Sequence, residues 1–216
     1  DEDRQGYLWI ATRDGLARYD GVGFRIWRVG DGLRDNFVWS VHVDAGDRVW
    51  IGTSNAGLAM LDVDREHFTW YDRATRPEMA SDDVWSINGT PDGDIWFGTS
   101  DGGLHRLSPD GRLQRYHHDA GDPRSLPSDG VSHLVVDARD GTLWVGTKGG
   151  VARWTGDGFD RLPAEMLGTL MVDGMAMDDA GSLWMGIHGS GMVRHADGRI
   201  EPMPWADPAL GGRALN

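Results

Sequence analysis

The sequence predicts an all-β protein, a β-propeller with about five four-stranded blades belonging to a ring of about seven, and three observations predict it. A tryptophan-centred strand recurs five times, at near-blade spacing. Each copy is flanked by Asp/Gly turns and short apolar strands in a fixed order. No segment shows the 3.6-residue period of an amphipathic helix.

The recurring strand reads GYLWIAT at 6–12, DRVWIGT at 47–53, GDIWFGT at 93–99, GTLWVGT at 141–147 and GSLWMGI at 181–187. Its tryptophans, Trp9, Trp50, Trp96, Trp144 and Trp184, lie 41, 46, 48 and 40 residues apart. That is the length of one propeller blade and exceeds a leucine-rich repeat. Upstream lies an apolar inner strand: VWSVHV at 38–43, VWSING at 84–89, VSHLVV at 131–136 and VDGMAM at 172–177. A tight turn links it to the tryptophan strand, as at Asp44–Asp47 and Pro91–Asp94, where Asp and Gly supply positive φ and side-chain caps. A third strand follows, GLARY at 15–19, GLAML at 57–61, GLHRL at 103–107, GVARW at 150–154 and GMVRH at 191–195. The fourth is FRIW at 24–27, FTWY at 68–71 and LQRY at 113–116, with echoes at 159–162 and 200–203. Packing alone accounts for the WxGT core: Trp fills the space between sheets, Gly admits close backbone approach, and Thr turns the chain.

These units divide the chain into blades at about 1–30, 31–76, 77–121, 122–164 and 165–216. The first lacks its inner strand, and LGGRALN at 210–216 aligns with DGLRDN just before an inner strand, so the sequence reads as an excerpt of a longer ring. The start, DEDRQG, has neither initiator Met nor basic leader and reads as trimmed. Trp205, outside the repeat, is expected to matter less for stability than Trp96.

Composition narrows the partners. With 34 acidic against 21 basic residues, the net charge of −13 argues against binding a polyanion such as nucleic acid. No run of 18 apolar residues exists to insert into a membrane. There are no cysteines, which excludes disulfides and thiolate metal sites. Eight histidines, among them the adjacent His117 and His118, show no i, i+4 zinc spacing, and SPDGRL at 108–113 and HADGRI at 195–200 lack the closing Glu of a calcium loop. No nucleophile elbow or phosphate loop occurs, so no catalytic residue, metal or cofactor is expected.

At the level of motifs the chain resembles the two-component regulator propeller repeat. The resemblance is carried by GYLWIATRDGLARYDG, PDGDIWFGTSDGGLHRLSPDG and DGTLWVGTKGGVARWTGDGF, and by the inter-blade stretches at 31–41 and 125–136. Departures are Ala11 for Gly, Ile187 for Thr, and an apparent extra residue between Gly46 and Trp50. The resemblance implies a periplasmic sensory propeller of a hybrid histidine kinase or diguanylate cyclase, with no universal catalytic residues to carry over. A streptogramin-lyase-like propeller enzyme is the alternative, with His188 the single histidine in a suitable loop.

One face of a propeller gathers the loops between blades and those joining strands two and three. There lie Arg13, Asp14, Asp35, Asn36, Asn55, Asp82, Asp83, Asp101, Ser128, Asp129, Lys148, Asp173 and His188. Aromatic platforms beside planar hydrogen-bonding groups suit carbohydrate or another small molecule. The expected ligand-binding set is Trp39, Trp85, Asp83, Asp129, Asp173 and His188, and a homodimer is a further possible partner state. For the acidic and amide residues, turn formation is the competing explanation.

Overall fold

The computed structural model describes residues 1–163, 171–189 and 191–203. Trp205 and the segment 210–216 lie outside the described residues. The chain forms two compact units, Asp1–Tyr116 and His117–Asn216.

The first unit holds three sheets. They are β1 (Leu8–Thr12), β2 (Gly15–Tyr19) and β3 (Phe24–Trp27); then β4 (Val38–Val43), β5 (Val49–Thr53), β6 (Leu58–Leu61) and β7 (Phe68–Tyr71); then β8 (Val84–Gly89), β9 (Ile95–Thr99), β10 (Leu104–Leu107) and β11 (Leu113–Tyr116). The second unit holds two: β12 (Val131–Val136), β13 (Leu143–Thr147), β14 (Gly150–Trp154) and β15 (Phe159–Arg161), then β16 (Val172–Met177), β17 (Leu183–Ile187), β18 (Gly191–Ala196) and β19 (Arg199–Pro202). Every sheet is an antiparallel meander in chain order, and the fold is that of propeller blades. The first sheet has three strands, and Asp1 and Trp9 exchange backbone hydrogen bonds beside a Glu2–Leu8 bridge.

Alternation along the second strand explains the packing. Trp9, Leu16 and Trp27 of the first sheet pack on Val49, Ile51, Ala59 and Leu61 of the second. Trp50 and Leu58 of the second pack on Ile95, Phe97 and Leu107 of the third. In the other unit, Trp144 and Val151 pack on Leu183, Met185 and Val193. Trp9, Trp50, Trp96 and Trp144 are buried, whereas Trp184, in the last described sheet, is half-buried. The glycine after the tryptophan admits the neighbouring blade: a Cβ on Gly52 would lie 2.6 Å from the Val84 carbonyl oxygen, and one on Gly146 would lie 2.5 Å from Met175 Sδ. The threonine is a staple. Thr53 Oγ1 donates to the Gly57 carbonyl at 2.8 Å and accepts from the Ala56 N–H at 3.0 Å, and Thr12, Thr99 and Thr147 repeat the arrangement.

Two further parts of the repeat come from the aspartates and arginines. Asp3, Asp44 and Asp178 each accept the indole N–H of the tryptophan six residues later, at 2.8–2.9 Å. Arg18, Arg106 and Arg194 pair across strands with Trp9, Trp96 and Trp184 and stack on them at 5.5–5.8 Å. Where the second blade has Met60 instead, Arg48 covers Trp50 at 5.6 Å. The extra residue expected between Gly46 and Trp50 is not an insertion. The N–H groups of Asp44 and Thr90 both donate to the carbonyl four residues on, and Asp47 at φ 65° occupies the left-handed position that Gly93 fills at φ 89°. Aspartate tolerates that region well enough to move the glycine out of register.

Candidate functional site

The loops of one blade end are tied together by their backbones. Ser54, Ser100, Lys148 and His188 N–H donate to the carbonyls of Phe37, Asp83, Gly130 and Met171, at 2.8–3.1 Å. The loop after the second strand is thus fastened to the loop that enters the inner strand of its own blade.

At this point each inner strand carries the same irregularity. Pairing slips between Val38 and Ser40, Val84 and Ser86, Val131 and His133, and Val172 and Gly174. The residues skipped by the ladder are Trp39, Trp85, Ser132 and Asp173. A β-bulge leaves its extra residue out of the pairing and re-aims its side chain, and such bulges recur beside functional sites.

In the first unit the bulges bring aromatic rings together. Trp39 Nε1 donates to Asp83 Oδ1 at 2.8 Å and Trp85 Nε1 to Asp83 Oδ2 at 3.0 Å. The two indoles meet edge-to-face at 6.1 Å, and Phe37 lies 4.4 Å from Trp39. The Arg13 guanidinium sits 5.4 Å over Phe37. Trp39 is 42% exposed and Trp85 half-buried.

In the second unit Asp173 Oδ2 lies 3.0 Å from His188 Nδ1, within hydrogen-bond distance, and both are exposed. His133, one residue beyond the Ser132 bulge, is part-buried. Burial holds its imidazole below the usual histidine range, and the Asp173 charge opposes this. Asp129 accepts the His118 backbone N–H at 2.6 Å.

Most of the remaining polar residues on these loops shape the backbone. Asp35 accepts the Phe37 and Asn55 N–H groups, Asn36 accepts the Val29 N–H, Asp82 binds Arg73, and Asp14 binds Arg28. Phe37 and Arg13 belong to the aromatic cluster although Phe37 was not among the expected residues; its place one step before the inner strand was the available signal. Among the described residues no group of three or more His, Cys, Asp or Glu side chains could hold a metal ion. No helix of the described residues is long and apolar enough to cross a membrane.

Meander blades with loop ends tied in pairs and bulged inner strands define a repeat β-propeller. The family model "two component regulator propeller" matches two stretches of the chain, residues 32–55 and 78–101. Among solved structures, the extracellular domain ascribed to a hybrid two-component system of B. thetaiotaomicron aligns with TM-score 0.75 at 22% identity, over 93% of this chain and 29% of that one. A second B. thetaiotaomicron extracellular domain, ascribed to a one-component system, aligns with TM-score 0.74 at 21% identity, over 95% and 30%. Virginiamycin B lyase from Staphylococcus aureus aligns with TM-score 0.70 at 20% identity, over 94% and 69%. At these identities the likeness is one of fold. The chain spans under a third of the length of the two extracellular domains. No curated protein sequence matches it.

Proposed function

We propose that this chain is a ligand-sensing or scaffolding propeller of a transmembrane signal-transduction protein, placed on the periplasmic side of the inner membrane. The observation that carries the reading is the match of its repeats to the two-component regulator propeller. The ligand is a carbohydrate or other small molecule. In the first unit it docks at Trp39, Trp85 and Asp83, and in the second at Asp129, Asp173 and His188; as a scaffold the chain acts by pairing with a second copy. Bulges that turn Trp39, Trp85 and Asp173 out of the ladder support this placement. The test is ligand-dependent output of the intact signalling protein carrying Trp39→Ala, Asp83→Ala or Asp173→Ala. Loss of response with normal expression is expected, and an unchanged response in all three overturns the site.

The Asp173–His188 pair supports a second reading, in which a carboxylate-held imidazole moves a proton in a lyase reaction of the kind for which virginiamycin B lyase is named. Incubation with quinupristin, the compound bound to a catalytically inactive form of that lyase, followed by mass spectrometry tests it. A cleaved product that His188→Ala abolishes would favour the enzyme, and an intact compound would dismiss it.

A further inference from the structure

We propose that Phe37, Trp39 and Trp85, backed by Asp83, form a binding corner for a cation, an alkylammonium group of a small ligand. This deepens the reading that the loop-bearing end of the first unit is where ligand docks, and rests on it.

Three arguments converge on the ligand's charge. The indole N–H edges of Trp39 and Trp85 are both turned onto the two oxygens of Asp83, so what Trp39 offers to solvent is chiefly ring surface. The Asp83 carboxylate is held by two neutral donors, with no cation in ion-pair contact with it among the described residues, and a nearby positive group gains from it. A carboxylate bonded to an indole N–H also enriches the ring face in electron density, and that face is what attracts a cation. The Arg13 guanidinium already covers Phe37 at 5.4 Å, so Phe37 serves as backing and the ring face left for a ligand is that of Trp39, with Trp85 beside it.

A neutral sugar requires directional partners as well as a ring to stack on. In the loops that lead into these two inner strands the polar side chains are engaged: Asp35 with two backbone N–H groups, Asn36 with the Val29 N–H, Asp82 with Arg73. An alkylammonium group needs none of them, only ring faces and negative potential, and the chain's net charge of −13 supplies the latter at long range. Cation–π contact at a partly exposed tryptophan is weak, so dissociation constants of about 10–100 mM are the range to search.

The experiment titrates the folded, ¹⁵N-labelled chain with choline at constant ionic strength, reading the indole N–H resonances of Trp39 and Trp85. The neutral isostere 3,3-dimethylbutan-1-ol and the neutral sugar cellobiose are run in parallel. Saturable shifts with choline are expected, with about fivefold weaker binding for the isostere and for Trp39→Ala, and partial recovery in Trp39→Phe. Trp39→Phe also keeps the test valid if the alanine variant misfolds. Equal binding of choline and its isostere overturns the cation assignment. Shifts from cellobiose alone overturn it too, while leaving the docking face in place. No shift from any of the three removes both the cation assignment and the docking reading for this unit.

Discussion

Acid should loosen the contact between the second and third blades through one residue, His105. In β10 it occupies the register position held by Ala17, Ala59, Ala152 and Val193 in the other blades, opposite Phe97 on β9. Its ring is fully buried and stacked on Phe97 at 4.8 Å with planes 9° apart, on the side of the sheet that packs under Trp50. Neither ring nitrogen has a hydrogen-bond partner among the described residues. Burial, helped by the Arg115 charge, pushes the imidazole from 6.5 down to about 4. The fold therefore holds the neutral ring, while the unfolded chain takes up a proton at 6.5. Stabilisation is complete above pH 6.5 and is lost as the pH falls from 6.5 towards 4. At about 1.4 kcal/mol per pH unit, that interval is worth about 3 kcal/mol, a large part of a domain's stability.

The assay is urea unfolding of the wild type and His105→Leu at pH 8, 6.5, 5.5 and 4.5, followed by tryptophan fluorescence. Leucine fills most of the ring's volume and removes two unsatisfied nitrogens, so at pH 8 the variant should be at least as stable, by about 1 kcal/mol. His42 and His133 are also held below the usual range by burial, and they contribute a slope of the same sign in both proteins. The difference between the two proteins isolates His105 and should widen steadily below pH 6.5. Parallel curves for wild type and variant from pH 8 to 4.5 would refute the reasoning, because they would mean the ring finds a proton acceptor or water in the fold.

Trp96→Ala should cost about 3–5 kcal/mol in urea unfolding, since the ring is 2% exposed and stacked with Tyr116 at 5.6 Å. Arg65→Met keeps the stem but strips the cation from Asp3 and Asp47, which lie 3.4 and 2.9 Å away. With the Asp3 side chain 1% exposed, a loss of about 3 kcal/mol is expected by the same assay. Thr99→Val leaves the Gly102 N–H and Gly103 carbonyl without the hydroxyl that staples them, for a loss of about 1–2 kcal/mol, whereas a change below the error of the titration would show the staple to be idle. For Asp44, burial raises the carboxyl pKa, but the Trp50 indole, Arg48 and a backbone N–H outweigh it and hold the net value below the usual range. Stability from this latch is present above the ordinary aspartate pKa and lost as pH falls through the lowered one. Asp44→Asn should accordingly flatten the acid limb of a pH–stability curve below pH 4.

Blade order, strand positions and the burial of Trp9, Trp50, Trp96 and Trp144 were legible because they follow from a period-2 alternation repeated at blade spacing. The bulges were not. A bulge adds a residue to one strand without changing the strand's composition, and V-W-S at 38–40 reads the same with or without a slipped ladder. Yet the slip is what sends Trp39 and Trp85 to one carboxylate, so the aromatic corner was visible as residues and invisible as geometry. The turn before Trp50 shows the converse error: a shifted glycine looks like an insertion until the backbone reveals Asp47 in the left-handed position.

Residues that keep their column in the repeat are explained by the blade. The indole-bound aspartates, the arginines over tryptophan and the threonine staples would be needed whatever the protein bound. Residues that break their column need another account, and the breaks are of two kinds. His105 replaces alanine inside the contact between blades and costs stability at acid pH, which makes it a candidate for a pH-dependent joint. Trp39 and Trp85 stand where the other inner strands carry Ser132 and Asp173, at the bulge and partly or fully in reach of solvent. Trp39 ties the second blade to the third through Asp83 and Trp85, a contact that serves packing, and its exposed ring face is what the proposed cation site adds to that contact.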